Sequence, residues 1–206
     1  FDSQPDLGVF GKSRCRGNVK VEAVIERGIP YGSMPEFFSA LLIGSHEHCR
    51  TSVVITGTHG KTTTSAAAAV MLDRAGLKPG YFIGGVPQDL PTGIRAVDPT
   101  IPAEKRCVVL EGDEYDSAFF AKWPKFLSYR PDILVVTSLE FDHADIYESL
   151  EQIEIEFTRL VMSLPKGGHL IVCTDNDRLR RLAFEWSQGE SFAANCYIVA
   201  SETTRR

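Results

Sequence analysis

The stretch VVITGTHGKTTTSA, residues 53–66, decides the fold. It opens as a β-branched apolar run of strand length, passes through a turn bounded by Gly57 and Gly60, and continues without a linker into an Ala-rich segment that reads as a helix ending at Gly76. The two glycines allow the backbone to turn tightly and bring N–H groups close to an anion. A helix beginning near Lys61 directs its positive end at the same point. Lys61 supplies a mobile ammonium for the β- and γ-phosphates of a nucleotide, and Thr62 a hydroxyl for a magnesium ion. Gly57, Thr58, His59, Gly60, Lys61, Thr62 and Thr63 therefore form a candidate phosphate cradle. In the general pattern G-x-x-x-x-G-K-[ST] the first Gly would stand where this chain has Ile55, so the loop is a compact variant in which Gly57 makes the turn.

Working outward, YFIGG (81–85), CVVLEGD (107–113), DILVVTS (132–138) and HLIVCTD (169–175) are short apolar runs. They are too continuous for a sheet with one wet face and suit strands buried on both faces. Helices fit over 149–164 and 177–188. The pattern predicts a doubly wound, mostly parallel α/β sheet carrying a P-loop. The Pro-rich stretch 88–106 reads as a loop over one end of that sheet. Before the P-loop, 19–27 reads as a short helix. MPEFFSALLI (34–43) reads as another, with Ser33 as its cap and Pro35 in its first turn.

The chain has 206 residues, 43% of them hydrophobic and 24% charged, which suits one substantial core and excludes collagen, coiled coil and disorder. No apolar run reaches the roughly 18 residues needed to span a bilayer. The first ten residues lack the pattern of a secretory leader. Five widely spaced cysteines without a CxxC pair point away from a disulfide framework or zinc site and toward the cytoplasm. A net charge of −5 gives no global field for nucleic acid, so a polyanionic ligand needs a local site.

Two acidic clusters follow predicted strands. In VVLEGDEYDSAFF (108–120), Glu111, Asp113, Glu114 and Asp116 crowd the strand edge where the P-loop lies, and a carboxylate there can share the magnesium ion with Thr62. In VVTSLEFDHADIY (135–147), Glu140, Asp142, His143 and Asp145 reach the same edge, and His143 can serve a metal or a phosphate. Phe119, Phe120 and Trp123 fit either core packing or the wall of a substrate pocket.

The segments GTHGKTTT, EGDEYD and EFDHAD, in this order and near these spacings, resemble the ATP-binding central domain of the Mur ligases. These enzymes join amino acids or peptides to a UDP-muramic acid precursor of the bacterial wall. RGNVKVEAVIERGIPY with PEFF, FIGGVP, DEYDSAFF, KFLSYRP and LEFDHADIY is similar to the branch that attaches a recycled murein tripeptide to UDP-N-acetylmuramate. The resemblance implies ATP and Mg2+, a carboxylate activated as an acyl phosphate, and capture by an amine. It implies that Lys61 contacts the γ-phosphate, that Thr62 and Glu111 bind one magnesium ion, and that His143 helps with a second. It also implies residues 1–31 as a remnant of an N-terminal UDP-sugar domain, 32–50 as a linker helix and 51–206 as the ATP-binding central domain. On this reading a closing C-terminal domain lies outside the chain, and the chain alone is expected to be inactive.

Three departures from the family stand out. Ser138 occupies a place where relatives often carry Asn, and CTDNDR (173–178) replaces an Asn-x-Asp-Asp near the adenine. Some members bridge the second metal with a carbamylated lysine, whereas this chain has no lysine between Lys125 and Lys166. Two other ligase or non-ligase readings compete. One is the ligase that adds L-alanine to the same sugar nucleotide, for which Ser is expected in place of Tyr115. The other is a P-loop module or interaction fragment without ligation. Neither nucleic acid nor membrane is an expected partner, and the oligomeric state is open.

Overall fold

The computed structural model describes residues 5–44, 51–140, 147, 149–189 and 192–200. A seven-stranded sheet organises the molecule. Its strands are β3 (Thr51–Thr56), β4 (Gly80–Phe82), β5 (Ile94–Arg95), β6 (Cys107–Gly112), β9 (Ile133–Val136), β10 (His169–Cys173) and β11 (Asn195–Val199). The spatial order is β11-β10-β9-β3-β6-β4-β5, and only β5 runs antiparallel. The order reverses at β3, so the turn that follows β3 lies where a doubly wound sheet opens a crevice.

Strand alternation divides the core between the two faces. Val54, Leu110, Leu134, Val136, Leu170 and Val172 pack with helix α4 (Leu150–Met162) through Phe157 and Leu160, and with helix α5 (Asp177–Gln188) through Leu179 and Trp186. Ile55, Val109 and Tyr81 face the other way, toward helix α3 (Lys61–Arg74). The α3 residues on that face, Ser65, Ala66 and Ala69, are small, which suits a helix lying close on a sheet. Gly76, at φ +81°, lets the chain leave α3.

The expected doubly wound, mostly parallel sheet is present, with three differences. The stretch 88–106 contributes β5 to the sheet edge, because Ile94 and Arg95 pair with Phe82 and Tyr81. Strand β11 has no period-2 signal: Tyr197, Ile198 and Val199 are 49, 59 and 52% exposed, and pairing with β10 alone sets its conformation. The EYDSAFF segment and the AKWP that follows it form a small antiparallel hairpin, β7 (Asp116–Ala118) with β8 (Ala121–Pro124).

Ahead of the main sheet, β1 (Gly8–Phe10), α1 (Val19–Glu26) and the parallel β2 (Tyr31–Ser33) make a βαβ unit. Its Phe10, Val21, Val24 and Ile29 pack with Phe119 and Phe120 near the hairpin. Strand β2 crosses the boundary expected at residue 31 because Ser33 ends the strand and also caps α2 (Met34–Phe38). The cap is a full box: the Ser33 N–H donates to Glu36 Oε2 at 2.8 Å, and the Glu36 N–H donates to Ser33 Oγ at 3.4 Å. A π turn (Ser39–Ile43) carries the helix on, with Leu42 and Ile43 buried in the main core. No helix of the described residues is long and apolar enough to cross a membrane.

Candidate active site

The P-loop takes the conformation its glycines permit. Gly57 has φ +133° and Gly60 φ +82°, the latter as the residue before the first turn of α3. A Cβ on Gly57 would lie 2.3 Å from Thr137 Oγ1 and 2.7 Å from the Ser138 nitrogen, so the turn is pressed against the segment that follows β9. The first helical hydrogen bond runs from the Thr64 N–H to Gly60 O at 2.9 Å, and no side chain caps the helix. The N–H groups of Lys61, Thr62 and Thr63 are therefore the first-turn donors that an α-helix leaves without intrahelical acceptors.

Thr58 and His59 act differently from the expectation that they cradle phosphate. The Thr58 N–H donates to Ser138 O at 3.1 Å, and the His59 N–H donates to Ser138 Oγ at 2.8 Å. Thr137 Oγ1 donates to His59 O at 2.6 Å, and the Glu140 N–H donates to Thr58 Oγ1 at 2.8 Å. Both backbone donors are spent on holding the P-loop to the β9 loop. Ser138, read from sequence only as a departure from the family, is thus a structural clamp. Thr137 carried no sequence signal, being one polar residue after an apolar strand.

Strand β6 delivers the acidic side chains. Thr62 Oγ1 donates to Glu111 Oε1 at 2.9 Å, while Glu111 Oε2 accepts from the Gly84 N–H at 2.8 Å. Thr62 and Glu111, expected to share a magnesium ion, are in direct contact through this hydroxyl–carboxylate hydrogen bond. Lys61 turns back on its own loop, donating to Gly57 O at 2.6 Å and Thr58 O at 3.1 Å, and pairs with Glu114 Oε2 at 2.9 Å. The Glu114 side chain is only 3% exposed and that of Lys61 14%, so this is a shielded ion pair. The acidic run of the sequence contained Glu114, but which of four carboxylates meets Lys61 depends on the turn after β6.

Tyr147, which follows β9 in the chain, closes this group by donating its hydroxyl to Glu114 O at 2.7 Å. Burial first, and then the carboxylates of Glu156 and Glu114, push the Tyr147 phenol well above its ordinary range, which keeps it a donor. Asp142, His143 and Asp145 lie outside the described residues. Phe119 and Phe120 take the packing role, against Phe10 and Tyr31, while Trp123 is 40% exposed.

Residues 55–195 match the profile of the Mur ligase middle domain. The chain belongs to the Mur ligase family. Within that family it is 41% identical over 171 residues to the UDP-N-acetylmuramate–L-alanyl-γ-D-glutamyl-meso-2,6-diaminoheptandioate ligase of Escherichia coli, covering 83% of this chain and 35% of that protein. A UDP-N-acetylmuramate–L-alanine ligase of Roseiflexus castenholzii is 42% identical over 135 residues, covering 66% of this chain and 26% of the other. Among solved Mur ligase structures, the ligase for L-alanyl-γ-D-glutamyl-meso-diaminopimelate from Neisseria meningitides superposes with a TM-score of 0.79 at 36% identity, over 93% of this chain and 58% of that one. The chain thus spans about a third of the length of its curated Escherichia coli relative. Its P-loop and acidic loops fall inside the matched Mur ligase span.

Proposed function

We propose that this chain supplies the ATP site for joining a murein tripeptide to UDP-N-acetylmuramate, a reaction of peptidoglycan recycling in the cytoplasm. The observation that carries the reading is the meeting of three features at the switch point of the sheet: the first turn of α3, the Lys61 ammonium, and the Thr62–Glu111 pair. Similarity to ligases named for this tripeptide supports the substrate assignment.

Mg2+ fits the donor set, because Thr62 and Glu111 offer hard oxygens in contact at one point. When bound there it would offset phosphate charge and polarise the transferring group. The chain's own residues do the rest. The α3 N–H groups orient the phosphates, and Gly57 and Gly60 let the backbone approach them. Lys61, released from Gly57 O and Thr58 O, reaches the γ-phosphate from its ion pair with Glu114. The carboxylate oxygen of the acid substrate attacks the γ-phosphorus of ATP, ADP leaves, and the tripeptide amine then displaces inorganic phosphate from the acyl phosphate to form the amide and lose its proton. Because a carboxylate and a triphosphate repel, the positive charge that Lys61 brings to them is the main contribution expected of the protein. Residues 8–33 are assigned to the sugar-nucleotide side and 51–206 to the ATP-binding unit.

Similarity to an L-alanine ligase supports a second reading, in which the amine is L-alanine. Tyr115 favours the tripeptide. The test is the melting shift of the chain with magnesium and a non-hydrolysable ATP analogue. A ligand at a hundred times its Kd adds about 2.7 kcal/mol to stability. The shift is expected in the parent and lost in Lys61→Ala. A parent that does not shift would remove the ATP reading.

A further inference from the structure

The loop that follows β4 starts at the phosphate site and runs beside α3. The Gly84 N–H donates to Glu111 Oε2 at 2.8 Å, and Glu111 Oε1 accepts from Thr62 Oγ1 at 2.9 Å. A Cβ on Gly85 would stand 3.4 Å from Thr62 Cγ2, so loop and helix touch at the first turn of α3. Leu90 is buried in the core, and its N–H donates to Pro87 O at 3.2 Å, which fixes residues 87–90 as a turn. Between this turn and the helix lies a cleft of about 630 Å3. Thr62 and Thr63 line its head, Ala67 and Val70 continue the helix wall to Arg74, and Asp89 stands on the loop wall.

The charges next to Arg74 in the chain are paired: Asp73 bonds Arg95 at 2.7 Å, and Lys78 bonds Asp98 at 2.9 Å. The side chains of Arg74 and Asp89, by contrast, form no ion pair or hydrogen bond among the described residues, and both are exposed. A guanidinium and a carboxylate lining one cleft complement a group that carries a carboxylate and an ammonium together. From Thr63 to Arg74 the helix rises about 16 Å. L-Alanyl-γ-D-glutamyl-meso-diaminopimelate, extended, measures about 16 Å from its amine to its distal amino-acid end, which holds such a pair of charges. Its methylenes match Val70 and Met71, the latter 70% exposed at the cleft.

We propose that this cleft seats the peptide substrate lengthwise, with its reacting amine at the phosphate end, its distal carboxylate on Arg74 and its distal ammonium on Asp89. The inference rests on the tripeptide reading above and names the subsite that selects the peptide. L-Alanine alone reaches only the head of the cleft, so Arg74 and Asp89 are specificity residues for a peptide over a single amino acid.

The experiment uses the 206-residue chain with Mg2+ and the non-hydrolysable ATP analogue, labelled with carbon-13 at the methionine methyls. The Met71 signal is assigned by its absence in Met71→Leu. The tripeptide is expected to shift it saturably and L-alanine to leave it in place. Two altered peptides separate the charges: one with L-lysine as third residue, which lacks the distal carboxylate, and one with aminopimelate, which lacks the distal ammonium. Each is expected to bind about tenfold more weakly, the loss of one charge-assisted contact. Arg74→Gln should weaken the tripeptide about tenfold and leave the lysine peptide unchanged. Asp89→Asn should weaken the tripeptide equally and leave the aminopimelate peptide unchanged. General damage to the fold does not produce this matching of variant to peptide. A Met71 signal unmoved by the tripeptide, or variants that weaken all three peptides alike or none, while the ATP analogue still raises the melting temperature, overturns the proposal and leaves the ATP site standing. Absence of that melting shift in the parent chain strikes the ligase reading itself.

Discussion

Gly57 concentrates the demands of the site in one residue. Its φ of +133° excludes most side chains, and the space for a Cβ is already filled by Thr137 Oγ1 and the Ser138 backbone. Gly57→Ala is therefore expected to cost roughly 2–4 kcal/mol, combining backbone strain with a contact that the two loops cannot relieve together. Gly76→Ala is the matched comparison, because Gly76 has φ +81° and nothing within 4 Å of an added Cβ. It should cost only about 1 kcal/mol. Urea unfolding of both variants tests this, and equal losses would show that loop packing at Gly57 is unimportant. The glycine was legible in the sequence as a turn residue. Its reason, the press of the β9 loop, was not, because residues 57 and 137 come together only when β3 and β9 pair.

At the scale of elements, α4 and α5 are tied across the face of the sheet by charge. Arg178 at the start of α5 bonds Glu154 and, at 2.7 Å, Glu151 of α4. The Arg178 hydrogen bond leads the effects that hold the Glu151 carboxyl down, from 4.5 to about 2. A depressed carboxyl contributes stability that is present above its unfolded value and lost as pH falls through its folded one. Thermal unfolding between pH 4.5 and 2 should therefore show a loss of stability in the parent that is smaller in Arg178→Gln. Parallel pH profiles would show that this exposed pair is inert. The helices themselves were readable from periodicity and caps, with Asn176 Oδ1 accepting from the Arg178 and Leu179 N–H groups as a cap should. Strand β11 was not readable, since it gains its form from β10 rather than from burial of its own side chains.

Over the whole molecule, the N-terminal βαβ unit joins the main domain through an aromatic cluster. Phe10, Tyr31, Phe119 and Phe120 stack edge to face, with Tyr31 and Phe120 centroids 5.0 Å apart. Two parallel strands and one helix are too little to hold themselves together, so this contact governs whether the unit stays docked. Phe120→Ala should loosen it by about 1–2 kcal/mol, less than for a fully buried ring because Phe120 is half-buried. Hydrogen exchange should then speed up across residues 8–33 while the melting shift with the ATP analogue persists. Unchanged exchange in that unit would place its anchorage elsewhere.

The sequence by itself determined the strand–turn–helix of residues 53–66 and the two-sided burial of the parallel strands, and it offered Lys61 and Thr62 as candidate phosphate and magnesium ligands, with Glu111 singled out by the family resemblance. These are local matters: glycine at a turn, β-branched runs, a hydroxyl and a carboxylate at strand ends. Only the tertiary structure decided that Lys61 pairs with Glu114, that Thr58 and His59 spend their N–H groups on Ser138, and that Lys12 rests on Tyr115. Each of these joins residues more than fifty positions apart in the chain. Such contacts depend on the order in which strands pair and on the turns that follow them, which no run of adjacent residues encodes.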